Sequence, residues 1–353
     1  MDKIKVAIIG CGMIAESHAK ALLSDPRAQL VAAAYGTNKA RGDAFGERFG
    51  VPKIVGDYRE LLNDKLDMVC ICTPSGLHAA CAIDFAHAGV NVLCEKPLDI
   101  KSGAMTDMIT AARGAGVKLG CVFSNRTRPG IKRAKELLQA GELGDMRIVE
   151  CQYRGYRSPA YYTSSKWKGT RAMDGGGCLI NQGIHAIDLM MYLCGDVSSV
   201  CAQVGALGRD IEVEDTAAAL LAFQNGAQGV IMGTTLSHIP ENAPEGDRIR
   251  IECARGSILY AEGKTTYYKN EKSDDFDVTP IALDDVINVV NSGSTPENID
   301  MVGHSEIVSN FISAILDEAE VMISAESARR GVDLVLAIYR SADAHGWVDV
   351  VYN

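Results

Sequence analysis

Gly10-Cys11-Gly12-Met13-Ile14-Ala15 stands between the apolar run Val6-Ala7-Ile8-Ile9 and a stretch patterned as a helix. A glycine at the first position permits the tight turn from strand to helix, and one at the third lets the backbone come close to a phosphate. The small Ala15 allows helix and strand to pack closely. The helix N-terminus then offers unpaired N–H groups and the positive end of its dipole to an anion. In isolation a G-x-G-x-x-A stretch can be a plain glycine turn. At the first strand–helix junction of a repeating pattern it predicts a dinucleotide site, with Gly10, Gly12, Met13 and Ile14 along the phosphates.

The pattern does repeat. Apolar runs follow at Leu30–Ala34, Met68–Cys72, Val90–Cys94 and Val117–Val122, with helical stretches between them. Near-continuous apolar runs are strands buried on both faces, as in a parallel sheet covered by helices. Asp57 with Glu60 reads as a capping pair, and Gly89 and Gly114 stand where helix ends call for a left-handed residue. Residues 1–123 therefore read as a doubly wound α/β domain of Rossmann type.

Beyond residue 124 the rhythm changes. A helix over Pro129–Ala140, closed by Gly141, leads to an alternating strand over Met146–Arg157. A polar, aromatic loop, Tyr161–Gly177, precedes a helix over Cys178–Cys194. Short strand-like segments from Ser198 to Lys269 predict a largely antiparallel sheet. A polar loop around 291–298, helices over Gly303–Glu318 and Ser324–His345, and a terminal strand over Trp347–Tyr352 complete the chain. The expectation is a second, α+β domain over 124–353 that binds substrate, with its last helices able to pack back on the first.

The 353 residues carry a net charge of −10, with 47% hydrophobic and 23% charged residues. That is the balance of an ordinary globular protein, and the acidity argues against nucleic acid or a membrane surface as partner. No apolar run approaches the ~20 residues of a membrane span, and the N-terminus enters a strand without a secretory h-region. Eleven cysteines, an odd number without a paired C-x-x-C array, predict free thiols, a cytoplasmic location and no metal.

An NAD site usually has an acidic residue at the end of its second strand, to hold the ribose 2′-hydroxyl. This chain has Tyr35-Gly36-Thr37-Asn38-Lys39-Ala40-Arg41 there. Thr37, Asn38 and Arg41, with Lys39, suit a 2′-phosphate, so the cofactor reads as NAD(P) with a lean to NADP; a solvated helix start is the alternative. Two further stretches fall at the carboxyl edge where open α/β sheets bind ligands. Thr73-Pro74-Ser75-Gly76-Leu77-His78 offers Thr73, Pro74 and His78 to the cofactor, and Glu95-Lys96-Pro97 offers Glu95 and Lys96.

Hydride transfer from an alcohol needs a base for the hydroxyl proton and polar groups that orient the carbon. Lys96 at a strand end can hydrogen-bond the reacting oxygen; it can equally be a surface lysine paired with Glu95. The stretch Gly175-Gly176-Gly177-Cys178-Leu179-Ile180-Asn181-Gln182-Gly183-Ile184-His185-Ala186-Ile187-Asp188 places Asn181 and His185 four apart, on one face of a helix, with Asp188 a turn further. The glycines permit close backbone approach. An interior histidine bonded to Asp188 is the competing reading.

Glu95-Lys96-Pro97 behind a Rossmann half, followed by the glycine-rich G-x-H-x-x-D helix, resembles the Gfo/Idh/MocA oxidoreductase family along essentially the whole chain. The resemblance implies a C-terminal domain with a large, mostly antiparallel open sheet, homodimers or homotetramers built through it, and sugars, inositols or sugar nucleotides as substrates. Lys96 matches the family's active-site lysine and His185 its histidine. Many members carry an aspartate where this chain has Asn181, which leaves Lys96 and His185 as the proton carriers. Trp167–Gly177 together with Asn181–His185 is similar to members acting on UDP-N-acetylhexosamine-type sugars. Tyr162, Trp167, Lys168 and Arg171 are then expected at the substrate, with interface or packing residues as the competing reading. Arg126, with Asn181 and Asp188, is also expected at the substrate, and Asn125 at the nicotinamide. Redox-assisted glycoside cleavage or epimerisation with a tightly bound cofactor is an alternative activity. A non-catalytic NAD(P)-binding regulator is another.

Overall fold

A computed structural model describes residues 3–239, 246–270, 277–283 and 301–353. The loop expected around 291–298 lies outside the described residues. The chain forms two compact units, the described residues of 1–124 and 292–329 in one and those of 125–291 and 330–353 in the other.

The first unit contains six strands: β1 (Ile4–Ile9), β2 (Ala28–Ala34), β3 (Lys53–Val55), β4 (Met68–Ile71), β5 (Asn91–Cys94) and β6 (Leu119–Cys121). They pair in parallel in the order β3-β2-β1-β4-β5-β6. Strand order reverses at β1, so the loop after β1 opens at the switch point where such sheets bind ligands. The apolar runs form the buried strands, as every side chain of β4 and β6 is buried. β3 was not marked by an apolar run; it has three residues, one of them exposed.

The capping signals resolve into two confirmations and one correction. Asp57 and Glu60 form a reciprocal capping box, on a 3₁₀ turn over Tyr58–Leu61. Gly89 adopts φ +75°, but Gly114 stays inside the helix Ser102–Ala115 and Gly116 takes the left-handed position at φ +69°. The Val117 N–H reaches back to the Ala112 carbonyl, which sets the true helix end two residues later.

Helix Met301–Ile315 also belongs to the first unit, so 124–353 is not wholly one body. The buried Ile307, Val308, Phe311 and Ile312 supply its apolar face. Arg27, braced by Asp25, bonds the Ser309 and Ser313 hydroxyls at 2.8 and 2.7 Å. The division between units falls within helix Ala325–Ala344.

In the second unit nine strands make one sheet: β7 (Met146–Arg154), β8 (Val197–Gly205), β9 (Thr216–Phe223), β10 (Gln228–Thr234), β11 (Arg248–Cys253), β12 (Gly256–Ala261), β13 (Lys264–Asn270), β14 (Val278–Ala282) and β15 (Val348–Asp349). Their order is β14-β13-β12-β11-β7-β10-β9-β8-β15, antiparallel except for β7 beside β10. Helix Ile184–Cys194 lies on β7 and β11. The helix expected over Cys178–Cys194 is two pieces, a π-helical stretch Cys178–Gly183 followed by α-helix Ile184–Cys194. The loop expected from Tyr161 opens in a short helix, Pro159–Thr163, capped by Ser158. All eleven cysteines are free. No helix among the described residues is long and apolar enough to cross a membrane.

Candidate functional site

Each unit contributes its own set of residues. In the first, Gly10 has φ +101°, and a Cβ there would lie 2.5 Å from the Cys72 carbonyl oxygen. Only glycine meets both demands. Gly12 is the N-cap of helix Met13–Ser24, and a Cβ on it would meet nothing within 4 Å. The helix therefore ends on open space, with first-turn N–H groups that no side chain caps, while Ala15 is fully buried behind it. That cradle fits the diphosphate of a dinucleotide. Burial pushes the Cys11 thiol up to about 11, against the opposing charge of Arg41.

At the end of β2, Asn38 caps helix Lys39–Phe49 by accepting the Arg41 N–H at 3.0 Å, and Lys39 pairs with Asp43 at 2.8 Å. Those two side chains have local partners, whereas Thr37 and Arg41 are exposed. Thr73 and Pro74 follow β4. His78 is buried rather than facing a ligand, with Nδ1 2.8 Å from the Pro97 carbonyl and Nε2 2.9 Å from that of Thr73. Its ring bolts the Thr73 loop to the Lys96-Pro97 turn.

Lys96 is half-buried immediately after β5, and its peptide bond to Pro97 is cis. Glu95 is 5% exposed and also turns inward. Its Oε1 takes His18 Nε2 at 2.8 Å with His304 Nε2 at 3.6 Å, and its Oε2 accepts the Lys96 N–H at 3.2 Å. Burial alone would raise this carboxyl; the two imidazoles outweigh it and hold Glu95 well below the usual carboxylate range.

In the second unit Arg126 and Asp188, expected at the substrate, face each other instead. They are 6% and 1% exposed, and two guanidinium N–H groups meet the carboxylate at 2.8 and 2.5 Å. Burial without loss of pairing makes this an internal clamp on helix Ile184–Cys194. Each Asp188 oxygen accepts from Arg126. His185, one turn earlier, is half-buried. Asn125 accepts from Arg128 at 3.1 Å.

The π-helical stretch changes the face argument for Asn181. With i→i+5 pairing, four residues no longer complete one turn. The Asn181 amide donates to the carboxylate of Asp174, whose second oxygen accepts the Gly169 N–H at 2.8 Å. A carboxylate thus stands beside Asn181 although the position itself has none. Next to it, Gln182 donates to the Tyr161 hydroxyl at 2.9 Å and accepts from Arg157 at 2.7 Å. Lys168 Nζ sits 4.0 Å from the centre of the Tyr161 ring, and burial draws its ammonium below the usual lysine range despite Asp174. Tyr162 bonds Thr235 at 3.1 Å. Asn181, Lys168 and Tyr162 therefore belong to one polar, aromatic cluster. Arg171 instead turns to Glu212, and Trp167 bonds Thr170 through its carbonyl.

Sequence reasoning missed Asp174, Gln182, Tyr161 and Arg157 in this cluster, and Glu214 beneath it. Asp174 and Gln182 lie in or beside the quoted glycine stretch, so a signal existed. Arg157 and Glu214 come from β7's end and the approach to β9, where no local pattern marks them. Glu214, nearly fully buried, accepts the N–H groups of Gly177 and Leu179 and the Tyr339 hydroxyl, each at 2.9 Å. A Cβ on Gly177 would lie 1.9 Å from the Glu214 carbonyl oxygen, and one on Gly176 2.0 Å from the Tyr339 hydroxyl. These glycines allow close approach of the protein to itself. Gly177→Ala should therefore displace the π-helical stretch, lowering Tm by several degrees, about 1–3 kcal/mol of overpacking. An unchanged melting curve would contradict this packing.

Residues 4–123 match the profile of an oxidoreductase family with an NAD-binding Rossmann fold, and residues 131–259 that of the GFO/IDH/MocA C-terminal domain. The chain is 27% identical over 244 residues to the trans-1,2-dihydrobenzene-1,2-diol dehydrogenase of Mus musculus, covering 68% of this chain and 71% of that one. It is 27% identical over 291 residues to the levoglucosan dehydrogenase of Pseudarthrobacter phenanthrenivorans, covering 74% of each. The crystal structure of the WlbA dehydrogenase from Bordetella pertussis, in complex with NADH and UDP-GlcNAcA, is similar with a TM-score of 0.85. Identity there is 28%, over 99% of this chain and all of that one.

Proposed function

The chain belongs to the Gfo/Idh/MocA oxidoreductase family, and from that premise we propose that it transfers a hydride between a nicotinamide and a carbinol carbon of a sugar, sugar derivative or inositol. The observation that carries the reading is Lys96, set at the carboxyl end of β5 in the sheet whose switch-point loop is shaped for a diphosphate. Relatives named for a diol, an anhydrosugar and a nucleotide sugar support a polyhydroxylated substrate. When bound, the cofactor supplies the hydride acceptor or donor.

The chain's own residues handle the rest. Gly10, Gly12, Met13 and Ile14 receive the phosphates, with Thr73 and Pro74 along the same edge. Lys96 and His185 orient the carbinol and move its hydroxyl proton, outward in oxidation and inward in reduction. Asn181 orients a hydroxyl by its amide, which Asp174 fixes, and Lys168 and Tyr162 extend the polar surface. Turnover of a sugar panel with matching change in reduced nicotinamide tests the reading; a folded, cofactor-binding protein that reduces nothing would contradict it.

At the adenosine end the absence of a carboxylate after β2 favours NADP over NAD. Arg41 is an exposed cation there, while Lys39, also exposed, pairs with Asp43. Arg41→Ala should weaken NADP about tenfold, the size of one charged hydrogen bond, and leave NAD within about twofold. Equal loss for both cofactors in a fluorescence titration would remove the preference. The assembly is a cytoplasmic homodimer or homotetramer through the open face of the second sheet. Ile148, Leu220 and Met232 support this, being exposed on neighbouring strands β7, β9 and β10. Light scattering that reads a monomer would overturn it.

A further inference from the structure

Glu95 carries more than its place in the Glu95-Lys96-Pro97 motif requires. It is anchored from three directions within the first unit. His18 reaches it from helix Met13–Ser24, the same helix whose N-terminus closes the phosphate loop. His304 reaches it from helix Met301–Ile315. The carboxylate's other oxygen holds the backbone N–H of Lys96. The two imidazoles meet edge to face, 5.8 Å between centres, and all three residues are at most 6% exposed. The surrounding groups are the thiols of Cys70 on β4, Cys72 just after it and Cys94 on β5, which burial keeps protonated, and the Cys121 thiol on β6, which lies against the Glu95 carbonyl. A surface lysine turn has no need of a buried, ionised carboxylate spanning two helices.

We propose that His18, Glu95 and His304 form a buried positioning triad that fixes Lys96 relative to the cofactor helix. Glu95 pins the peptide of Lys96, and the imidazoles pin Glu95 to the helix that begins at Gly12. None of the three touches substrate; they act through Lys96. The same three residues also match the donor set of a cation site, with ligand atoms within 4.8 Å of one another. The geometry favours hydrogen bonding. The 2.8 Å contact is that of a direct N–H···O bond, and the buried His18 Nδ1 has no hydrogen-bond partner among the described residues, whereas a metal-bound imidazole normally donates its second N–H.

The inference rests on Lys96 acting in turnover, and a double-mutant cycle separates the two. Glu95→Gln should lower kcat about 10- to 100-fold and leave the cofactor Kd within about twofold, while Glu95→Asp restores part of the rate. In a Lys96→Ala background the same Glu95→Gln change should lower the residual rate less than twofold, since there is no lysine left to position. Where Glu95→Gln fails to fold, His304→Gln takes its place in the cycle with the same expectation. Additive losses would overturn the triad and leave the reading of function intact. Full activity of Lys96→Ala would instead sink that reading. One equivalent of zinc in the purified protein, lost together with activity on chelation, would replace the positioning triad with a metal site.

Discussion

Lys96→Ala protein is expected to fold, to bind the nicotinamide cofactor with its ordinary affinity, and to lose about 10²–10⁴-fold in kcat, the range of a positioned general acid or base. The expectation follows from where the residue stands. Its backbone is pinned by Glu95 and followed by buried Pro97 and Leu98, so truncating the side chain leaves the turn in place. The phosphate loop lies after β1 and does not depend on the lysine side chain. Lys96→Arg separates charge from proton transfer. A guanidinium keeps the positive charge but does not release a proton near neutrality. If Arg restores substrate KM without kcat, the lysine moves a proton; if it restores both, it supplies charge alone.

His185→Ala should cost a similar about 10²–10⁴-fold in kcat, again without loss of the fold. The Arg126–Asp188 clamp holds helix Ile184–Cys194 a turn away, and Glu214 holds the π-helical stretch before it, so neither needs the imidazole. His185→Gln keeps a hydrogen-bonding group of similar reach and should recover KM more than kcat. A variant of His185 that melts several degrees lower and keeps full activity would make it a packing residue, the competing reading of this helix.

The Rossmann half was legible because its signals are local. Glycines at a strand end, β-branched runs and capping residues each act within a few positions, and a parallel sheet between helices follows from them. Gly114 shows the limit, since the helix ran two residues past it to a better left-handed position at Gly116. The second unit was legible in class and not in detail. Nothing near Cys178 announces a π-helical turn. That turn is stabilised from 35 residues downstream, by the Glu214 carboxylate, and from Tyr339 further still. The three glycines were visible, but what they approach was not.

The site residues divided in the same way. Lys96 and His185 could be singled out from motif order. Asp188, Arg126, Glu95 and His78 were recognised as special, yet their partners decide what they do, and those partners are distant in sequence. A buried pair such as Arg126 with Asp188 looks in sequence like two polar groups awaiting a ligand. The carboxylate missing at position 181 was likewise only displaced, because Asp174 supplies one to the Asn181 amide.

The most direct test follows the hydrogen itself. Sugars, polyols and nucleotide-linked sugars bearing deuterium on the carbinol carbons would be offered to the protein with NAD and with NADP. Hydride transfer predicts that at least one is oxidised and that its carbinol deuterium is found on the reduced nicotinamide, with the rate lowered about 10²–10⁴-fold in Lys96→Ala. Oxidation in which that deuterium exchanges into water, or no cofactor reduction with any of these substrates by a protein that binds the cofactor, would contradict it.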